Sequence, residues 1–200
     1  MKKLLLTGFE PFLGFEINPT ETIVKNLDGS SIGEFEVIGK ILPVDFKKGP
    51  EKLLNLMSDL KPDAVISLGL AAGRTHITPE RIAINCQDGE PDNNGVQLTD
   101  HPIDPNGPDG YFSKLPIRKM VQTLNDAGLP AEISNTAGTY LCNNVMYSMI
   151  HYLKQNDLDI PAGFIHVPAS HELVAKGKKR MASWSTADLT KAIQLAIECL

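Results

Sequence analysis

The sequence predicts an α/β protein, a three-layer α/β/α sandwich around a twisted, largely parallel central sheet. Apolar runs that stop at Gly or Pro recur along the chain, as in Lys2 to Gly8, Asp63 to Gly69 and Gly163 to Val167. Runs of this length and composition read as buried strands. Between them lie segments whose apolar residues recur at helical spacing. Strands alternating with helices favour a layered architecture with a mostly parallel sheet. The 200 residues suit a single domain, 1–200, with no linker and no internal repeat.

Each element has its own signal. Lys2 to Gly8 is the first strand and Pro19 to Asn26 a short helix. Glu34 to Leu42 carries Phe35, Val37, Gly39 and Ile41 on one face and stops at Pro43, which predicts a second strand. Pro50 to Leu60 places Leu53, Leu54, Met57 and Leu60 at helical spacing, with Pro50 in the first turn. Asp63 to Gly69 (DAVISLG) is a buried strand and Arg81 to Cys86 a short one. Ile117 to Leu124 is a helix closed by Gly128, followed by a strand over Ala131 to Asn135. Asn143 to Lys154 is a helix with Val145, Met146, Met149, Ile150 and Leu153 inward. Gly163 to Val167 is a strand stopped by Pro168. Thr186 to Leu200 is a closing helix with Leu189, Ile193, Ala196 and Ile197 inward. The exception is Gln87 to Pro116, rich in Asp, Asn, Gly and Pro. A structureless loop of that length is unusual inside a domain. It is expected to hold a small hairpin about Asn94-Gly95, or to pack against a neighbouring subunit.

Composition narrows the function. With 42% hydrophobic and 22% charged residues and a net charge of −5, the chain has no basic stripe for nucleic acid. The start MKKLLLTGFEPF briefly imitates a signal peptide, but Gly8, Glu10 and Pro11 cut its apolar run short. No stretch of about 18 apolar residues could span a membrane, so the expected location is the cytoplasm. Three cysteines, Cys86, Cys142 and Cys199, make an odd number, and the chain contains no C-x-x-C or H-E-x-x-H. A disulfide framework and a structural metal site are not expected.

Three side chains could carry chemistry. Cys142 lies in SNTAGTYLCNNVMYSMI, where a predicted strand ends, Gly138 allows a sharp turn and a helix begins just after the cysteine. Free N–H groups and the dipole at a helix N-terminus favour an anion. A free thiol has a pKa of about 8.5, which such a setting lowers. The same N–H groups could form an oxyanion hole. Read alone, Cys142 fits an inert buried thiol as well as a nucleophile. His166 ends the strand GFIHVP and fits either a histidine bonded to a backbone carbonyl or a general base. Glu80, in GRTHITPERIAIN, fits a solvated surface carboxylate or the group that orients His166. Its neighbour Arg81 is either a surface partner of Glu80 or a positioning group. Active sites in such sheets collect beyond the carboxyl ends of the strands.

Four segments, taken together and in order, carry a resemblance. LLTGFEPF, GR-x-x-I-x-x-ER-x-A-x-N, S-x-TAGT-x-x-CN and FIHVP resemble the pyroglutamyl peptidase I (pyrrolidone-carboxylate peptidase) family across essentially the whole chain. The resemblance implies a cysteine peptidase that removes N-terminal pyroglutamyl residues from peptides through a thioester, with no cofactor and no metal. It implies Cys142 as nucleophile, His166 as general base and Glu80 as the acidic third member. It also implies that Phe9 and Phe12 pack against the lactam ring, with Tyr140 and Leu141 as further walls. A neutral lactam suits apolar walls and a few amide contacts; without the resemblance, Phe9 and Phe12 would read as core under a turn. Family members commonly form homotetramers, so a homo-oligomer is expected. Two departures bear on substrate binding. Leu70 stands where many members carry Gln, and Gly89-Glu90 precede Pro91-Asp92-Asn93 where many carry Arg. They motivate an alternative, a catalytically weak pyroglutamate-binding protein of the same fold.

Overall fold

Alternation along the first strand sets the layers. Leu4 and Leu6 point to one side of the sheet and Leu5 to the other, and all three are fully buried. The computed structural model describes residues 1–177 and 180–200. Its elements run β1 (Lys2–Phe9), α1 (Pro19–Leu27), β2 (Ser31–Ile32), β3 (Phe35–Leu42), α2 (Lys48–Leu60), β4 (Ala64–Leu70), β5 (Thr78–Pro79) and β6 (Ile82–Ile84). There follow β7 (Gly110–Phe112), α3 (Ile117–Asp126), α4 (Leu141–Gln155), β8 (Ala162–Val167), β9 (Ala169–Ser170), α5 (His171–Lys176), β10 (Ser183–Trp184) and α6 (Thr186–Ile197).

The central sheet has the order β2-β3-β1-β4-β8-β5. The inner pairings β3-β1, β1-β4 and β4-β8 are parallel, and the two edge pairings are antiparallel. Helices α1, α3 and α6 cover one face through Ile23, Met120, Leu124 and Ile193. Helices α2 and α4 cover the other through Leu53, Met57, Val145 and Met149. This is the three-layer sandwich the sequence predicts. Burying each such aliphatic side chain contributes about 1.5–3 kcal/mol of transfer free energy. Among the described residues, no helix is long and apolar enough to cross a membrane.

Three local expectations are corrected. The segment Ala131 to Asn135 is not a strand; it runs beside residues 77–81 but keeps only two isolated bridges, Ile77 to Ala131 and Glu80 to Ser134. The bonds Glu132 N–H to Ile77 O and Ser134 N–H to Pro79 O are made. Pro79, standing between the bridges, has no N–H to donate and interrupts the ladder. The strand over Arg81 to Cys86 shrinks to β6, which pairs antiparallel with β7 outside the central sheet. Helix α4 begins at Leu141, two residues earlier than expected, so Cys142 lies inside its first turn.

The irregular region turns at Asn94-Gly95 as expected, with Gly95 at φ 79° and its N–H on Asp92 O at 3.0 Å. The returning chain forms one bridge, Gln87 to His101, rather than a regular hairpin. Side chains order it instead. Asp92 accepts the N–H groups of Asn94 and Val96, and Asn85 accepts those of Ile103 and Asp104.

Candidate active site

Parallel strands bring the ends of β1, β4 and β8 to one edge of the sheet, and the register decides what meets there. In β8, Phe164 belongs to the α4-side core while Ile165 and Val167 belong to the opposite one, so alternation turns His166 toward α4. His166 lies opposite Gly69 of β4 and Thr78 of β5. Gly69 is glycine for a reason: a Cβ there would stand 2.8 Å from Cys142 Sγ and 2.7 Å from Phe164 Cε1. The sulfur of Cys142 thus occupies the space a side chain at position 69 would fill, beside the strand position that pairs with His166.

Cys142 reaches this point because the chain turns at Gly138 (φ 77°) and enters α4 through Tyr140 in extended conformation. Tyr140 offers no side-chain cap. The Asn144 N–H bonds Tyr140 O at 3.1 Å, leaving the earlier N–H groups of the first turn, including that of Cys142, for a ligand. Asn143 ties this turn down from below, bonding both the N–H and the carbonyl of Ile84 and the carbonyl of Cys86.

Glu80 is fully buried. Its Oε1 lies 2.7 Å from His166 Nδ1 and 2.8 Å from Arg74 Nη1, and its Oε2 has no partner among the described residues. A carboxylate only accepts, so Nδ1 carries the proton and Nε2 is left for the sulfur. Arg74 also donates to Thr78 Oγ1 at 2.7 Å and to Thr136 O at 3.4 Å. Burial of His166 disfavours its cationic form, but the charge and hydrogen bond of Cys142, then those of Glu80, outweigh it, and its pKa is pushed up to about 9.

Phe9, Phe12, Leu70, Tyr140 and Leu141, the five wall residues expected from sequence, line one narrow cleft together with Val44 and Cys142, with a free volume of ≈ 10 Å³. The Tyr140 ring lies 6.4 Å from that of Phe12 and packs edge-on against Phe46 at 5.4 Å. Its hydroxyl bonds Pro91 O at 3.1 Å. Burial, then the nearby Asp92, pushes its pKa up to about 12, so the wall stays neutral. Glu10 Oε1 accepts from Val44 N–H and from Asn93 Nδ2, which also reaches Pro11 O. Asp92 accepts the Phe46 N–H at 3.1 Å. The Pro91-Asp92-Asn93 segment thereby fastens the two loops that carry Phe12 and Val44.

Sequence reasoning missed Arg74 and Gly69. Arg81, the cation beside Glu80 in sequence, instead donates to Asn135 Oδ1 at 2.7 Å. A buried carboxylate needs a counter-ion, and Arg74 lies six residues before Glu80 in GRTHITPERIAIN; that requirement was the available signal.

Residues 2–200 match the family model described as pyroglutamyl peptidase. The chain is 54% identical, over the full length of both, to a pyrrolidone-carboxylate peptidase of Oceanobacillus iheyensis. It is 46% identical to that of Pyrococcus furiosus, covering 98% of this chain and 96% of the relative. The solved pyrrolidone carboxyl peptidase of Thermococcus litoralis superposes with a TM-score of 0.96 at 44% identity, covering 100% of this chain and 93% of that one.

Two measurements probe the geometry. Gly69→Ala is expected to displace Cys142 Sγ, slow its iodoacetamide labelling about tenfold or more, and cost about 1–3 kcal/mol of stability from overpacking. Labelling at the wild-type rate would contradict the placement. In NMR titration, His166 is expected to stay protonated up to about pH 9. Stability from this imidazolium is therefore complete below about pH 6.5 and lost as pH rises through about 9. Cys142→Ala removes the leading cause of the rise, so the His166 pKa should fall; identical titration curves would refute the coupling.

Proposed function

The chain belongs to the pyroglutamyl peptidase family, and from that membership we propose that it hydrolyses the bond after an N-terminal pyroglutamyl residue of peptides. The observation that carries the reading is the buried Glu80–His166 pair at 2.7 Å beside a cysteine in the uncapped first turn of α4. Cys142 acts as nucleophile, His166 as general acid and base, and Glu80 as the carboxylate that orients the imidazole, within a single peptidase domain over 1–200.

The Cys142 thiolate attacks the acyl carbon of the pyroglutamyl group, and the developing oxyanion takes the Cys142 N–H and a neighbouring donor. The C–N bond breaks as His166 gives its proton to the departing amine, leaving a thioester. Water then adds to the thioester while His166 takes its proton, and free pyroglutamate departs as the thiolate reforms. Proton transfer of this kind contributes roughly 10²–10⁴ in rate, and one oxyanion donor about 10²–10³. The apolar cleft of Phe9, Phe12, Leu70, Tyr140 and Leu141 suits a neutral lactam. Leu70 is an apolar wall in this reading, so the departure from Gln removes no side-chain contact the ring requires.

The reading extends to a cytoplasmic homotetramer. Three free cysteines fit a reducing compartment. Exposed Phe112, Val96 and Ile84 on the 82–112 region fit a contact arm, which the particle mass in light scattering would test.

With a pyroglutamyl-coumarin amide, the wild type should release coumarin steadily and Cys142→Ser should release almost none. No release by wild type sinks the peptidase reading, and steady turnover excludes the binding-only alternative. Arg74→Ala should lower kcat/KM about tenfold and destabilise by about 1–3 kcal/mol, discounted for its partial exposure. Arg74→Lys should recover part of both losses; a wild-type pH–rate profile in Arg74→Ala would remove Arg74 from this role.

A further inference from the structure

A substrate that begins with its pyroglutamyl ring has nothing to bind on the amino side of the scissile bond. Any further binding must come from the peptide that leaves. Phe12 and Leu70 connect two parts of the molecule. They line the cleft beside Cys142, and they also belong to a separate apolar cluster with Leu173, Phe15, Ile17, Val174 and Met181. Phe15, Ile17, Leu173, Val174 and Met181 of that cluster line a groove of ≈ 360 Å³ between the loop after β1 and helix α5, with Glu16 and Lys176 also on its walls. The Phe12 ring is the link: its neighbour Phe15 stands edge-on at 6.0 Å and lines the groove.

The loop itself is set in an unusual conformation. Leu13 adopts φ 50° and Gly14 φ 77°, and Leu13 is 50% exposed on the groove's rim. A bulky residue in the left-handed region is strained, and such strain gathers at ligand-binding segments. The loop that supplies the Phe12 wall thus continues directly into the groove lining, through half-buried Phe15 and Ile17 and exposed Glu16.

We propose that this groove binds apolar side chains of the leaving peptide, in the first residues after the one bonded to pyroglutamate. The inference rests on the peptidase reading and adds a preference to it. Burial against Val174, Phe15 and Ile17 favours aliphatic residues over polar ones, since each buried methylene contributes to binding.

Three substrates test this with the full chain: pyroglutamyl-Ala-amide, pyroglutamyl-Ala-Leu-Leu-amide and pyroglutamyl-Ala-Ser-Ser-amide. Wild type should cleave the Leu-Leu peptide with kcat/KM about tenfold above the Ser-Ser peptide. Val174→Asp, and more mildly Val174→Ser, should erase that preference and leave the short substrate within about twofold of wild type. Equal kcat/KM for the two long peptides in wild type overturns the proposal, as does a Val174→Asp loss shared equally by all three. A change in particle mass with the preference intact also overturns it, because the groove would then cover a second copy of the chain. Calorimetry with the product Ala-Leu-Leu-amide needs no turnover. Binding that Val174→Asp abolishes supports the groove even where cleavage of the short substrate fails and the peptidase reading falls; no binding by wild type overturns the groove while leaving that reading to its own assay.

Discussion

A carboxylate with no exposure to water is the constraint around which the site is organised. Glu80 has one oxygen shared by His166 and Arg74 and the other without a partner among the described residues. Left alone, a buried carboxylate would take up a proton rather than stay charged. The guanidinium of Arg74 makes the charge tolerable, and Thr78 and Thr136 hold that guanidinium in turn. Because the carboxylate stays an acceptor, the imidazole keeps its proton on Nδ1 and presents Nε2 to the sulfur. The orientation of the ring follows from this one placement, which also adds to the larger effect of Cys142 in raising its pKa.

The second requirement is room. Sheet alternation sends His166 toward α4, and the parallel register sets Gly69 opposite it. An ordinary residue at 69 would occupy the space of the Cys142 sulfur. Helix α4 can therefore descend close to the strand ends, bringing its open first-turn N–H groups beside the Cys142 sulfur. A similar close approach occurs at Gly8, where a Cβ would lie 2.8 Å from Thr20 O. There it seats α1 against the end of β1 and fixes the loop that leads to Phe12. Packing demands at two glycines thus position both the reactive group and one wall of the cleft.

Much of this was legible in the residues. The strands around 2–8, 63–69 and 163–167 and the helices over 117–124, 143–154 and 186–200 appear near their expected bounds, because burial and helical spacing are local patterns. Expectations failed where the deciding partner was distant. Ala131 to Asn135 reads as a strand until its neighbour proves to contain Pro79. Arg81 is adjacent to Glu80 in sequence, yet the β-like backbone there turns successive side chains apart, and Arg81 finds Asn135. The 87–116 region was expected to hold a small hairpin, but its order comes mainly from Asp92 and Asn85 bonding backbone groups, which no periodicity records.

The sequence by itself determined the layer architecture, the family resemblance and which residue types could do chemistry, since alternation, helical spacing and motif order are properties of the chain read along its length. Only the tertiary structure decided that Arg74 rather than Arg81 neutralises Glu80, that Gly69 makes space for the sulfur, and that Cys142 sits within the first turn of α4. Each of these depends on contacts between segments tens of residues apart, or on whether a carboxylate is buried. Solvation and register arise only when the strands have paired, so no local pattern could have specified them.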